Sequence, residues 1–235
     1  MIIAANLKTN LTREKTISYI QHVENFIEKN ALLQEILVFP ATSSLHLHNK
    51  KVKIGAQNAY HTYNGAFTGE IGYEQLEEFN IKTILIGHSE RRHIMGETQE
   101  SLVKKFNFYK ELGFRIVYCV GEPLEVREAG HQHMMEYISK QYDGIDTAYD
   151  NLVIAYEPVW AIGTGLTPTL EDIVAIHKEL KAKSKAPLLY GGSVKVTNVK
   201  EILALDGVDG VLVGSAALYA EHFCTMCQYA QELGK

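Results

Sequence analysis

Short apolar runs alternate with longer helical segments along the whole chain, and this alternation restricts the possible folds more than any other feature. Several runs are almost continuously apolar, as in Thr83–Gly87 and Leu152–Tyr156. Such runs are typical of strands that are buried on both faces of a parallel sheet. Eight of them follow one another: Ile2–Asn6, Ile36–Pro40, Val52–Asn58, Thr83–Gly87, Arg115–Val120, Leu152–Tyr156, Leu188–Gly191 and Val208–Gly214.

The segments between the runs carry apolar residues at three- to four-residue spacing, which predicts amphipathic helices. Thr169 followed three residues later by Asp172 is typical of a helix start. Gly113 is a predicted C-terminal cap. The clearest helical stripes lie in Arg13–Glu28, Thr98–Leu112 and Glu171–Ala182.

Eight strands alternating with helices in 235 residues predict an α/β fold, a single (β/α)₈ TIM barrel of eight parallel strands that occupies residues 1–235 as one domain. The alternative is an open doubly wound sheet, which would require a glycine-rich turn after its first strand. The corresponding segment Asn6–Asn10 contains no glycine. The closed barrel is therefore favoured.

The charge and the cysteine content argue against several classes of function. The net charge is −5 and the basic residues are scattered, which argues against nucleic acid as a partner. The apolar start Met1–Ala5 is too short for a signal peptide or a membrane span. Three cysteines are too few for a disulfide framework, and we interpret Cys224 and Cys227 as buried apolar residues of one helix face. We therefore expect a cytoplasmic protein without a membrane partner.

Polar side chains follow several of the predicted strands, where the active site of such a barrel lies. Asn6 and Lys8 follow the first strand, His88 and Glu90 the fourth, and Glu157 the sixth. The amide dipoles of a helix that starts after His88 would favour its neutral imidazole. A base, a histidine and a lysine brought together from three strands predict a catalytic site.

Two glycine turns follow the last two strands, at Gly191-Gly192-Ser193 and Gly214-Ser215-Ala216. These are the positions at which phosphate-binding barrels hold their anion. A helix that opens at Ser215 or Ala216 would add its positive N-terminal end. The turns therefore predict a phosphate site.

The segment after Glu157 begins with the stiff sequence Pro-Val-Trp and continues with the flexible sequence Ala-Ile-Gly-Thr-Gly. This combination suits a lid that excludes water from the reaction. The lid residues are Pro158, Val159, Trp160, Ala161, Ile162, Gly163, Thr164, Gly165, Leu166, Thr167 and Pro168.

These segments together resemble the triosephosphate isomerase family, in order and over essentially the whole chain. The resemblance implies interconversion of dihydroxyacetone phosphate and glyceraldehyde 3-phosphate through an enediolate, in glycolysis and gluconeogenesis. It implies no metal and no organic cofactor. The motifs that carry it are Asn6-Leu7-Lys8, Gly55 to Asn58, Gly69-Glu70, Gly87 to Arg92, Cys119 to Glu122, Tyr156 to Gly165, Tyr190 to Ser193 and Asp209 to Gly214.

The resemblance also implies a role for each site residue. Glu157 is the base, and His88 is the electrophile that polarises the carbonyl. Lys8 supplies positive charge, Asn6 hydrogen-bonds beside it, and Glu90 supports Lys8 and the His88 turn. The substrate phosphate is bound by the backbone amides of Gly163, Ser193, Gly214 and Ser215.

The family is typically a homodimer, and the resemblance implies that the loop Gly65–Glu70 reaches into the neighbouring subunit with Thr68 near its site. Triose phosphates are then the small-molecule partners. Two other functions are weighed: another phosphate-binding barrel enzyme, such as a lyase or a different sugar-phosphate isomerase, and a non-catalytic barrel. The complete set of Lys8, His88 and Glu157 argues against both.

One departure from the family concerns the lid. The resemblance implies that the closed lid is held by two hydrogen bonds, one between Ser193 and the Gly163 amide and one from Tyr190 to the backbone amide at position 168. Residue 168 is proline, which has no amide hydrogen. We therefore expect this lid to depend on Ser193 and not on Tyr190.

Tyr190→Phe is expected to change kcat little, whereas Ser193→Ala should lower it about two- to tenfold, because a net hydrogen bond contributes about 0.5–1.5 kcal/mol. Pro168→Ala restores an amide and should make Tyr190→Phe costly in that background. The measurement is kcat of both single variants and of the double variant. Equal losses for Tyr190→Phe and Ser193→Ala in the natural sequence would contradict this interpretation.

Overall fold

The computed structural model describes residues 1–48, 50–164 and 166–234, and its centre is a parallel sheet of eight strands. All the strand pairs are parallel, and consecutive strands are connected by helical segments. The strands are β1 (Ile2–Asn6), β2 (Glu35–Phe39), β3 (Lys53–Ile54), β4 (Thr83–Ile86), β5 (Arg115–Val120), β6 (Leu152–Tyr156), β7 (Leu188–Tyr190) and β8 (Gly210–Val213).

The sheet closes on itself between β3 and β4, the first and last strands of the order β3-β2-β1-β8-β7-β6-β5-β4. An isolated parallel bridge joins Ala56 to Ile84. The Ala56 amide donates to the Thr83 carbonyl at 2.9 Å, and the Leu85 amide donates to the Ala56 carbonyl at 2.9 Å. The predicted (β/α)₈ barrel is thereby confirmed, and the open sheet is excluded.

Predicted and observed strands coincide at β1, β5 and β6 and differ by one or two residues elsewhere, except at β3. There the predicted run Val52–Asn58 is reduced to Lys53–Ile54. The Gly55 amide still donates to Val38 of β2, but the next amide turns to Thr83. The residues after Ile54 therefore close the barrel instead of extending the strand.

The core has two layers, because side chains alternate between the two faces of each strand. One layer fills the barrel interior, and the second lies between the barrel and the surrounding helices. The helices are α1 (Arg13–Asn30), α2 (Tyr73–Glu78), α3 (Ser89–His93), α4 (Gln99–Glu111), α5 (Leu124–Glu128), α6 (His131–Lys140), α7 (Leu170–Lys183), α8 (Val199–Ala204) and α9 (Ala220–Glu232).

Helix ends follow the sequence signals. The Thr169 hydroxyl accepts the Asp172 amide at 3.1 Å and the Asp172 carboxylate accepts the Thr169 amide at 3.4 Å, which confirms the predicted start of α7. Gly113 follows α4 with a φ of 73°. Cys224 and Cys227 are free and buried in α9, as predicted. None of the helices in the described residues has the length and apolarity to cross a membrane.

A buried carboxylate on α1 holds the segment that leads into β3. Glu24 is 0% exposed, and it accepts hydrogen bonds from the amides of Val52 at 2.9 Å and Lys51 at 3.1 Å. The ring of His48 lies 3.2 Å from the same carboxylate. Burial raises the pKa of Glu24, but these hydrogen bonds and His48 outweigh it and hold the pKa below its usual value.

Glu24→Gln is expected to destabilise the fold by about 1.5–3 kcal/mol at neutral pH, the range for hydrogen bonds to a charged group. A carboxyl whose pKa is depressed by folding stabilises above its unfolded pKa and loses this effect as the pH falls. The difference in Tm between wild type and Glu24→Gln should therefore shrink on acidification. Glu28→Gln, an exposed position of the same helix, is the control. A pH-independent difference would refute this assignment.

Candidate active site

The predicted base and histidine lie together at the carboxyl ends of β6 and β4. His88 Nε2 lies 3.1 Å from Glu157 Oε1, and the Ser89 amide donates to Glu157 Oε2 at 2.9 Å. Both side chains are almost fully buried. The Glu157 carboxylate is therefore held at the start of α3. It has to move away from this position before it can accept a proton from another molecule.

The local backbone fixes the protonation pattern of His88. His88 caps the N-terminus of α3, and the Glu90 amide donates to its Nδ1 at 3.3 Å. An amide can only donate, so Nδ1 acts as an acceptor and the proton of the neutral ring lies on Nε2. Nε2, which lies 3.1 Å from Glu157 Oε1, is therefore the ring nitrogen of His88 that can donate a hydrogen bond at the mouth of the barrel.

Lys8 is held in place by an unusual backbone conformation. Its φ is 51°, a left-handed value that is uncommon outside glycine. The Lys8 amide donates to Asn6 Oδ1 at 3.0 Å, and its carbonyl accepts from Gln57 Nε2 at 2.8 Å. Its ammonium donates to Glu90 Oε1 at 2.6 Å. Asn6 and Gln57 therefore hold the backbone of Lys8 in this conformation, and Glu90 holds its ammonium group in position.

The predicted phosphate-binding residues line one cleft of about 750 Å³. A short 3₁₀ helix, Ser215–Leu218, begins at its wall, and α9 begins only at Ala220. A 3₁₀ helix therefore opens at Ser215, where the sequence predicts a helix start, and Ser215 and Ala216 line the cleft. Lys8 also lines this cleft, and so do the predicted residues Gly163, Ser193, Gly214 and Ser215.

The glycines after β7 have a further steric role that the sequence analysis did not identify. A Cβ on Gly191 would lie 3.0 Å from Glu157 Cγ, and a Cβ on Gly192 would overlap the Tyr190 hydroxyl. A Cβ on Gly214, in contrast, would meet nothing closer than Lys8 Cε at 3.6 Å. Gly191 thus leaves room for the carboxylate of Glu157.

The predicted lid begins with a 3₁₀ turn, Val159–Ala161, and continues through Gly163, which has a φ of 72°. Gly163 and Thr164 are exposed, whereas Pro168 is buried. Gly165, also predicted to belong to the lid, lies outside the described residues. Among the residues that line the cleft, the lid contributes Ile162, Gly163 and Thr164.

A buried carboxylate at the lid's root is absent from the predicted site. Glu122, just after β5, is 0% exposed, and its Oε1 accepts from the Trp160 indole at 3.0 Å and the Tyr156 hydroxyl at 3.1 Å. Burial raises the pKa of Glu122 more than these donors lower it. The sequence signal was its place directly after a strand, in the run Cys119 to Glu122.

Tyr190 lies under the turn that carries Ser193. Its hydroxyl is buried and has no hydrogen-bond partner among the residues that the structure describes. Burial raises its pKa. Pro168 offers no amide, so the expectation for the latch stays a prediction.

The loop that contains Thr68 is exposed over residues 64–70. Beside the His88 end of the site lies a second cleft of about 540 Å³, which Lys8 also lines. Its rim carries Ile94 and Met95, whose exposed fractions are 72% and 67%. In the described part of the chain, no three His, Cys, Asp or Glu side chains are grouped so that they could hold a metal ion.

Comparison with known proteins gives a consistent result. The family model described as triosephosphate isomerase matches residues 1–230. A triosephosphate isomerase of Sulfurimonas denitrificans is 76% identical over 235 residues, which cover 100% of this chain and 98% of the relative. Those of Sulfurovum sp. and Wolinella succinogenes are each 52% identical, over 96% and 97% of this chain and 99% of the relative in both cases.

Proposed function

The chain belongs to the triosephosphate isomerase family, and we propose that Glu157, His88 and Lys8 are the residues with which it isomerises triose phosphates. It is an isomerase that interconverts dihydroxyacetone phosphate and glyceraldehyde 3-phosphate by moving one proton between neighbouring carbons. Each direction requires a base for a carbon-bound proton and a donor for the carbonyl oxygen.

Glu157 is the proposed base, and His88 the proposed donor. The Glu157 carboxylate exchanges the Ser89 amide and His88 Nε2 for the substrate, whose carbonyl oxygen then faces the vacated Nε2 hydrogen. A neutral imidazole that donates to this oxygen stabilises the charge that develops on it. Because His88 Nδ1 is occupied by an amide, the ring stays in the tautomer that this step requires.

Lys8 is placed to contact both ends of the substrate. It lines both the cleft at His88 and the cleft at the glycine turns. A positive charge at this point attracts the phosphate and stabilises the enediolate. The amides of Gly163, Ser193, Gly214 and Ser215 are proposed to bind the phosphate oxygens, with the lid closing over them to exclude water.

The observation that carries this proposal is the 3.1 Å contact between His88 and Glu157, at an end of the barrel that Lys8 shares. A barrel that only binds a phosphate would require neither a base nor a hydrogen-bond donor beside it.

Glu157→Ala should lower kcat at least about a hundredfold, the lower end of what a general base contributes. The measurement is a coupled assay of glyceraldehyde 3-phosphate turnover without added metal and in the presence of a chelator. Glu128→Ala, at an exposed position of α5, is the control. Full activity in Glu157→Ala would refute the assignment of the base.

We also propose a homodimer formed through the loop at residues 65–70. Phe67 is 43% exposed at its tip, and Ile94 and Met95 form an exposed apolar rim beside the second cleft. An exposed apolar loop and an exposed apolar cleft on one face fit a contact in which each subunit inserts its loop into the other. Thr68 would then approach the partner's site.

Thr68→Arg should weaken association and activity together, because a charge that is desolvated at an interface is costly. Light scattering and kcat at micromolar concentration provide the measurement. Gln132→Arg, which adds the same charge to the exposed side of α6, is the matched control. An active wild-type monomer would contradict the dimer.

We propose, finally, that the protein acts in the cytoplasm as one domain over residues 1–235. All three cysteines are free and buried, which suits a reducing compartment. The family match over residues 1–230 and the single closed barrel support one domain.

A further inference from the structure

One arginine contacts the start of the lid and the helix that follows the lid. The Arg127 guanidinium, on α5, lies 4.7 Å from the centre of the Trp160 ring in the N-terminal hinge, Val159–Ala161. Its Nη2 atom lies 3.0 Å from Asp172 Oδ2, in the first turn of α7. Arg127 therefore connects the N-terminal hinge of the lid to the first turn of the helix that follows it.

One carboxylate oxygen of Asp172 accepts two hydrogen bonds. Its Oδ2 accepts from Arg127 and also from the Thr169 amide at 3.4 Å, which fixes where the lid ends and α7 begins. We name residues 167–169 the C-terminal hinge. The position of this hinge is thereby connected to the position of Arg127.

On the other side, Arg127 is connected to the N-terminal hinge. Its Nη1 atom lies 3.8 Å from Glu122 Oε1, the atom that accepts the Trp160 indole at 3.0 Å. The cation thus lies between two carboxylates, one bound to each hinge. A movement of the Trp160 ring would change the surroundings of the Arg127 guanidinium, which is also paired with Asp172.

We propose that Arg127 and Asp172 form a clasp that couples the two hinges, so that the lid opens and closes as one unit. Asp172 is then a positioning residue for the isomerase reaction. The Asp172 side chain is 43% exposed, and such pairs contribute little to global stability. A substitution that breaks the pair but keeps an oxygen for the Thr169 amide should therefore act on the lid more than on unfolding. The clasp rests on the proposed lid function.

A lid that closes incompletely can be detected by a side reaction of the enediolate. When the enediolate is exposed, its electron pair expels inorganic phosphate by breaking the carbon–oxygen bond. The enol that remains gains a proton at carbon and loses its hydroxyl proton to water, which gives methylglyoxal. A lid that closes incompletely should raise the fraction of turnovers that end in phosphate. It should lower kcat more than it alters the KM of the substrate.

The test compares Asp172→Asn with Glu171→Gln. Both remove one carboxylate from the first turn of α7, but only Asp172 pairs with Arg127. Asparagine still provides an oxygen for the Thr169 amide. Trp160 is the single tryptophan of the chain, so its fluorescence reports directly on the N-terminal hinge. The probe is glycerol 3-phosphate, and the readouts are temperature-jump relaxation of Trp160 and phosphate released per turnover.

Asp172→Asn is expected to change the Trp160 relaxation rate and the phosphate fraction about two- to fivefold, the range of a partly exposed ion pair. Glu171→Gln and the charge-conserving Asp172→Glu should stay near wild type, and the Tm values should agree. The clasp is overturned if Asp172→Asn behaves like Glu171→Gln while the wild-type tryptophan still responds to the probe. A wild-type tryptophan that does not respond overturns the lid, and the clasp with it.

Discussion

Closure of the barrel between β3 and β4 is the constraint on which the rest of the structure depends. The two hydrogen bonds of Ala56 to the β4 strand bring the end of β4, and therefore His88, round to the side of β1 on which Lys8 lies. In an open sheet these two strands would form opposite edges. A closed parallel barrel instead collects the carboxyl ends of all its strands at one mouth.

Much of this arrangement follows from local sequence. Apolar runs predict the strands because parallel strands are buried on both faces, and the observed β1, β5 and β6 have the predicted bounds. Thr169 and Asp172 predict the start of α7 because their cap involves neighbouring residues only. The polar residues at strand ends could be assigned to one site because closure follows from the number of strands.

The features that sequence reasoning missed depend on distant contacts. The buried environment of Glu122 is formed by Tyr156 and Trp160, and Arg127 contacts Trp160 and Asp172, which are distant from it in the sequence. The short β3 reflects where the ladder to β2 ends and closure begins. Gly191 looks like an anion-binding turn in the sequence, and only the folded chain shows that it makes room for Glu157.

The left-handed backbone of Lys8 has a consequence for the evolution of the protein. A residue with a side chain is destabilised by about 1–2 kcal/mol in the left-handed region of backbone conformations, whereas glycine is not. Asn6 and Gln57 impose this conformation, and the ammonium that it aims is paired with Glu90. On the proposed function, turnover depends on the ammonium group that this strained backbone conformation positions. Glycine at this position would relieve the strain and remove the ammonium group, so on the proposed function stability and turnover favour different residues here.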